Sequence, residues 1–206
     1  MAHSFKLSRA ASLAATMALA LSSLPLSAST AAAQKLLIEP VVEMKLKQLP
    51  PAPLYWRIET FPTLAAAKAA TGPTGLAAEV AGKVWLFTLG SKGGSSAGGQ
   101  RVAEIGPVPL VTAPEYLLRI NRATGPSGAK TAIHTHPGSE AFYVLAGRMS
   151  QRTPHGVQHL EVGQSAPGHG PETPMEVSSS GTGDLDQLVM FLVDATKPFS
   201  SPAMMP

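Results

Sequence analysis

The chain has 206 residues, enough for one domain with extensions. Charged residues make up only 14%, while 19 Gly and 19 Pro favour short strands and turns over a helical bundle. The net charge of +3 forms no basic stripe, which leaves nucleic-acid binding without an electrostatic footing, and a chain without cysteine has no disulfide or thiolate chemistry.

Residues 1–33 read as a secretory signal peptide. Lys6 and Arg9 supply the positive start, and Ala10 to Leu26 is apolar apart from small polar residues and Pro25. Ala31-Ala32-Ala33 then offers small residues for cleavage, with Gln34 first in the mature chain. The apolar core is shorter than the roughly 20 residues that a spanning helix needs. The expectation is an exported protein, periplasmic or extracellular, with no membrane contact once the signal is removed.

Residues 34–53 are mixed and end in Pro50-Pro51-Ala52-Pro53, which reads as a stiff linker. Residues 54–114 read as an N-terminal extension that adds strands and a short helix. A strand is predicted over Leu54–Thr60, then a helix opened by Pro62 and running through Ala70. Lys83–Leu89 is an aromatic and β-branched strand that ends in the Gly/Ser loop Gly90–Gly99, and Arg101–Ile105 follows as a further strand. Over residues 115–193 strands are predicted at Glu115–Arg122, Lys130–His136, Ala141–Ala146, Met149–Thr153, Val157–Val162, Met175–Ser178 and Leu185–Val193. The Pro- and Ser-rich residues 194–206 read as a flexible tail. So many short strands with regular turns indicate an all-β sandwich or barrel, a set that includes jelly rolls.

The chemistry is concentrated in Gly128–Gly147. Residues i and i+2 of a strand share a face, so His134 and His136 present two imidazoles side by side. Pro137-Gly138 breaks the strand and lets the chain return, so that Glu140 can enter the same space. Phe142, Val144 and Ala146 share its parity and are expected to pack inward behind it. Two imidazoles and a carboxylate with open positions suit a divalent transition metal.

This segment resembles the first cupin motif, G-x5-H-x-H-x3-E-x6-G, at every fixed position from Gly128 to Gly147. The resemblance covers roughly residues 115 to 193. It implies a double-stranded β-helix, or jelly-roll, cupin barrel with a metal held inside. The family's second motif should supply a further histidine. At that position, aligned on Thr173-Pro174, stands Met175, with Ser179 in place of the family's asparagine.

That departure leaves three readings open. Met175 fills the barrel behind a weak three-ligand site or a site without metal. His169, in the preceding loop, swings in as the missing imidazole. Alternatively, His134, His136 and Met175 form a copper site, since a thioether is a soft ligand. The cofactor is therefore a divalent transition metal or copper.

Other groups read as structural. His155 and His159 fall on a turn and a polar strand face, which suits solvated surface. Gly94-Ser95-Ser96-Ala97-Gly98 matches G-x-S-x-G but lacks the strand-turn-helix context of a nucleophile elbow. Trp85, Phe87, Phe142, Tyr143 and Phe191 read as core, as do Met149 and Met190.

Two functions compete, beside a third possibility of a purely structural or interaction barrel with a vestigial site. One is a binding protein that holds a metal ion, and with it a small oxygenated ligand. The other, as the cupin resemblance suggests, is a metal-dependent dioxygenase, isomerase or decarboxylase in which Glu140 ligates or shuttles a proton. The sequence leaves turnover open. Uncovered strand edges also make a homodimer an expectation.

Overall fold

Residues 1–2 and 34–206 are described by a computed structural model of the protein. The segment that reads as a signal peptide lies outside the described residues, apart from Met1 and Ala2. Among the described residues no helix is long and apolar enough to cross a membrane.

The chain begins with β1 (Leu37–Leu46), β2 (Tyr55–Phe61), helix α1 (Leu64–Ala69), β3 (Gly75–Val80), β4 (Lys83–Gly90) and β5 (Gln100–Ile105). It continues through β6 (Tyr116–Gly125), β7 (His134–Thr135), β8 (Gly138–Ala146), β9 (Arg148–Thr153) and β10 (Gly156–Glu161). Then come β11 (Ser165–Pro167), β12 (Glu176–Ser179), β13 (Leu185–Asp194) and β14 (Ser201–Pro202).

The largest sheet has the order β1-β6-β13-β8-β11 and faces a three-stranded sheet of order β10-β9-β12, with β7 paired to β14. All the named pairings are antiparallel. Phe142, Val144 and Val189 from the large sheet meet Met149, Leu160 and Val177 from the small one in a single core. This is the jelly-roll barrel. The outer face of the large sheet is covered by a second, four-stranded sheet of order β3-β4-β2-β5, whose Trp56, Ile58 and Phe87 pack on Leu118, Ile120, Leu188, Met190 and Leu192.

Strand alternation explains how one strand serves both cores. Along β13, Leu188, Met190 and Leu192 point to the outer sheet, while Val189, Phe191 and Val193 point into the barrel. A strand buried on both faces reads as a continuous apolar run, which is what Leu188–Val193 shows.

Two expectations are corrected. The stretch that reads as a linker holds a ten-residue strand, β1, paired with β6 from Leu37↔Thr124 to Leu46↔Tyr116. Val42, Met44 and Leu46 pack against the outer core, and Pro40 is tolerated because β1 is an edge strand with an irregularity between Pro40 and Val42. The tail is also structured: β14 pairs with β7, and Phe199 packs against the barrel core.

Smaller differences have local causes. The helix starts at Leu64 because Thr63 caps it, accepting the Ala66 N–H at 3.1 Å. β3 is Ala-rich, so pairing with β4 rather than propensity makes it a strand. Residues 91–99 are loop, which removes any nucleophile-elbow context from Ser96.

Candidate functional site

The barrel encloses a cavity of about 270 Å³ whose lining includes His134, His136, Glu140, Phe142, Val189 and Phe191. Register places these groups. Glu140 lies opposite Phe191 and Phe142 opposite Val189 on the inward faces of β8 and β13. Gly138, the first residue of β8, has no alternative residue, because a Cβ there would overlap the Leu192 carbonyl and Val193 Cα. Gly147, which ends the motif, sits at φ +72 against the Asp184 backbone.

The two imidazoles stand edge to face with centroids 4.9 Å apart. His134 donates from Nδ1 to the Ala132 carbonyl at 2.8 Å, and His136 donates from Nδ1 to the Phe199 carbonyl at 2.6 Å. A carbonyl only accepts, so in the neutral rings both Nε2 atoms carry the free lone pair, the tautomer a metal or ligand donor needs. His136 is 5% exposed and packed between Phe191 and Phe199; burial pushes its pKa down to about 4, against the Phe199 bond that raises it.

Glu140 is 2% exposed. Desolvation pushes its pKa up to about 8, opposed by a 2.6 Å hydrogen bond from Gln151 Nε2. At neutral pH the metal-free wall therefore carries a neutral acid beside a neutral imidazole.

A cation fits this donor set in part. Ligating N and O atoms lie about 2.0–2.2 Å from a zinc-like ion, so two donors to one ion stand at most about 4.3 Å apart. His136 Nε2 and Glu140 Oε2 are 3.9 Å apart, inside that bound. Among the described residues no three His, Asp or Glu side chains are gathered into a metal-holding group. The fit is that of an open wall with two close donors and His134 one ring away.

The other predicted residues divide. Met175 is 2% exposed and its backbone pairs directly with His134, but its sulfur stands 3.5 Å from Gln151 Nε2 and it does not line the cavity. His169 does not join the wall either; its Nε2 lies 3.3 Å from Thr153 Oγ1 and its ring stacks on His155 at 5.1 Å. Ala146, expected to point inward, is exposed. His155 and His159 are exposed, as expected.

Sequence reasoning missed Gln151, Phe199, Asn121 and Gln187. The last two share the inward parity of their strands, a signal available in Asn121-Arg122-Ala123 and Gln187-Leu188-Val189. Phe199 carried no such signal, since its place depends on the return of the tail. There Arg119 stacks on its ring at 4.4 Å while pairing with Glu43.

No family model matches the chain, and no curated protein matches it. Among solved structures it is similar to DMSP lyases (RdDddP and RnDddQII) at 21% identity and TM-score 0.37, covering 42% of this chain and 44% of that one. It is similar to a cupin-like protein from Thermotoga maritima at 15% identity and TM-score 0.38, over 43% of this chain and 65% of the other. A double-stranded β-helix protein from Klebsiella pneumoniae gives 20% identity and TM-score 0.37, over 42% and 75%. The chain thus spans less than half of the lyase chain it aligns with. These likenesses are partial, and the jelly-roll barrel rests on this chain's own strand order.

Proposed function

We propose that this protein is a binding barrel that holds a divalent transition metal at His134, His136 and Glu140 and a small, largely apolar, oxygen-bearing molecule in the cavity beside it. The observation that carries the reading is the pair of imidazoles, each with Nδ1 committed to a backbone carbonyl, lining a cavity with Phe142, Val189 and Phe191. When bound, the metal would polarise an oxygen of the ligand. The chain's own residues fix the ring orientations through the Ala132 and Phe199 carbonyls and exclude water with the phenylalanines.

The test is metal titration of chelator-stripped protein by calorimetry with Mn, Fe(II), Zn and Cu. Stoichiometric binding that weakens at least a hundredfold in His134→Ala and His136→Ala supports the reading. Equal binding by both variants, or none by the parent chain, overturns it.

One observation favours turnover as a second reading. Glu140 is a buried acid with a pKa near 8 on an apolar cavity, the pattern of a proton donor. A substrate converted by the parent chain, and bound but not converted by Glu140→Gln, would establish it. We further infer that the mature chain starts at Gln34 and acts outside the cytoplasm; the intact mass of the protein recovered from the periplasm or medium checks this.

A further inference from the structure

The cavity has a second polar wall. Asn121, 3% exposed, and Gln187, 1% exposed, both line it. Neither Asn121 Oδ1 nor Gln187 Oε1 has a hydrogen-bond partner among the described residues. A buried carboxamide oxygen without a partner is costly to keep, and a ligand donor would remove that cost.

Position makes the two amides one site. β6 and β13 pair with Asn121 opposite Val189 and Ala123 opposite Gln187, so the side chains sit on the same inward face one diagonal step apart. Diagonal neighbours on antiparallel strands are about 7–8 Å apart at most, within joint reach of one small group. Gln187 lies four residues along β13 from Phe191, which pairs with Glu140. At about 3.3 Å per residue that is about 13 Å of strand. Val189 and Phe142 lie between Gln187 and Phe191, and Asn121 stands level with Val189, so both amides sit along the wall away from Glu140.

The chemistry of this end selects its occupant. Among the described residues no Lys, Arg or Asp lines the cavity, which leaves no counter-charge for a phosphate or carboxylate here. We propose that Asn121 and Gln187 form a reading subsite for a neutral hydrogen-bond donor, a hydroxyl or amide N–H, carried by a small apolar molecule. This rests on the reading of the cavity as a ligand site, and it adds which end of the ligand is read and by what. A site built to hydrogen-bond a hydroxyl discriminates strongly against an analogue that lacks it, because its own polar groups are then left unpaired.

The test uses 2-naphthol and 2-methylnaphthalene, which differ in the hydroxyl, titrated into the purified chain and followed by naphthalene fluorescence. The parent chain binds 2-naphthol at least tenfold more tightly. Asn121→Leu and Gln187→Leu, close in size and without the amide, each cut that preference below threefold and leave metal titration at the histidines unchanged. Melting temperatures of both variants stay equal or rise, since an unpaired buried amide is removed. If either variant fails to fold, Asn121→Ala and Gln187→Met carry the same comparison. A preference that persists in both variants, or no preference in the parent, overturns the subsite while leaving metal binding intact. If neither probe binds, the subsite is overturned and the ligand half of the proposed function falls with it.

Discussion

Gln151 Nε2 stands 2.6 Å from Glu140 Oε1, so the carboxyl that closes the candidate metal wall is held by an amide from the neighbouring strand β9. The same Nε2 approaches the Met175 sulfur at 3.5 Å. Supporting groups of this kind orient a ligand, and their loss typically costs 10–100-fold in metal affinity. Gln151→Leu is therefore expected to weaken metal binding by about that factor while the barrel stays folded. Because the lost bond favours the carboxylate, the Glu140 pKa should move further up. Calorimetry and the carboxyl carbon shift of Glu140 check the two parts.

Metal-free stability should depend on pH through two groups with opposite signs. Glu140 keeps its proton in the folded state up to about pH 8 but releases it near pH 4.5 when unfolded. Its stabilising effect is thus complete below 4.5 and is lost as pH rises toward 8. His136 is neutral in the folded state down to about pH 4, whereas the unfolded ring protonates near 6.5. Its effect is complete above 6.5 and is lost as pH falls toward 4. Between 4.5 and 6.5 the slopes oppose each other, and from 6.5 to 8 only the Glu140 loss remains. Melting temperature of the stripped protein should therefore fall from pH 6.5 to 8, and Glu140→Gln should abolish that fall. A bound divalent ion, which needs the carboxylate, should reverse its sign.

Met175 stands directly opposite His134 in an antiparallel bridge, at the position where the motif that the sequence resembles has an imidazole. Met175→His should bring a third imidazole to the wall and raise affinity for Mn or Fe(II) at least tenfold. Elemental analysis of protein purified without chelators, beside the parent chain, reads the outcome. Copper that is stoichiometric in the parent and lost in Met175→His would instead favour the soft site.

The sequence made the barrel legible where strands alternate or run fully apolar. β8 and β13 were read within a few residues because Ala141–Ala146 and Leu188–Val193 are apolar runs. Two residues of the motif, His136 and Glu140, stand 3.9 Å apart. The remainder depends on long-range pairing that spacing does not encode. β1 is a strand because β6 offers it an edge, and its exposed residues blur its alternation. The His136 tautomer depends on a carbonyl 63 positions away, at Phe199. Met175 is the reverse case: its position was legible, while its turn toward Gln151 required coordinates.

The outer sheet is part of the same folding unit as the barrel. Ile120 is fully buried between the two, within one cluster that includes Trp56, Ile58 and Met190. Ile120→Ala should cost about 2–5 kcal/mol through lost burial and the cavity left behind. Tryptophan fluorescence, which reports the outer sheet through Trp56 and Trp85, and far-ultraviolet circular dichroism should lose signal at the same denaturant concentration. Separate transitions would show that the two sheets unfold independently.

The tail should matter to the site more than to the fold. Phe199 supplies three things: the carbonyl that accepts from His136 Nδ1, a ring at 4.9 Å from that imidazole, and a stacking surface for Arg119. Phe199→Ala keeps the carbonyl and removes the ring, opening the cavity to water beside His136. The folded His136 pKa should then rise from about 4 toward its ordinary value of 6.5, because burial is the main cause of its depression. Ending the chain at Asp194 removes the carbonyl as well and frees the ring to change tautomer. Metal affinity should therefore fall in the order parent, Phe199→Ala, truncated chain. Imidazole proton shifts followed through the titration give the pKa, and calorimetry gives the affinities. Unchanged values in the truncated chain would show that the wall is set by β7 and β8 alone.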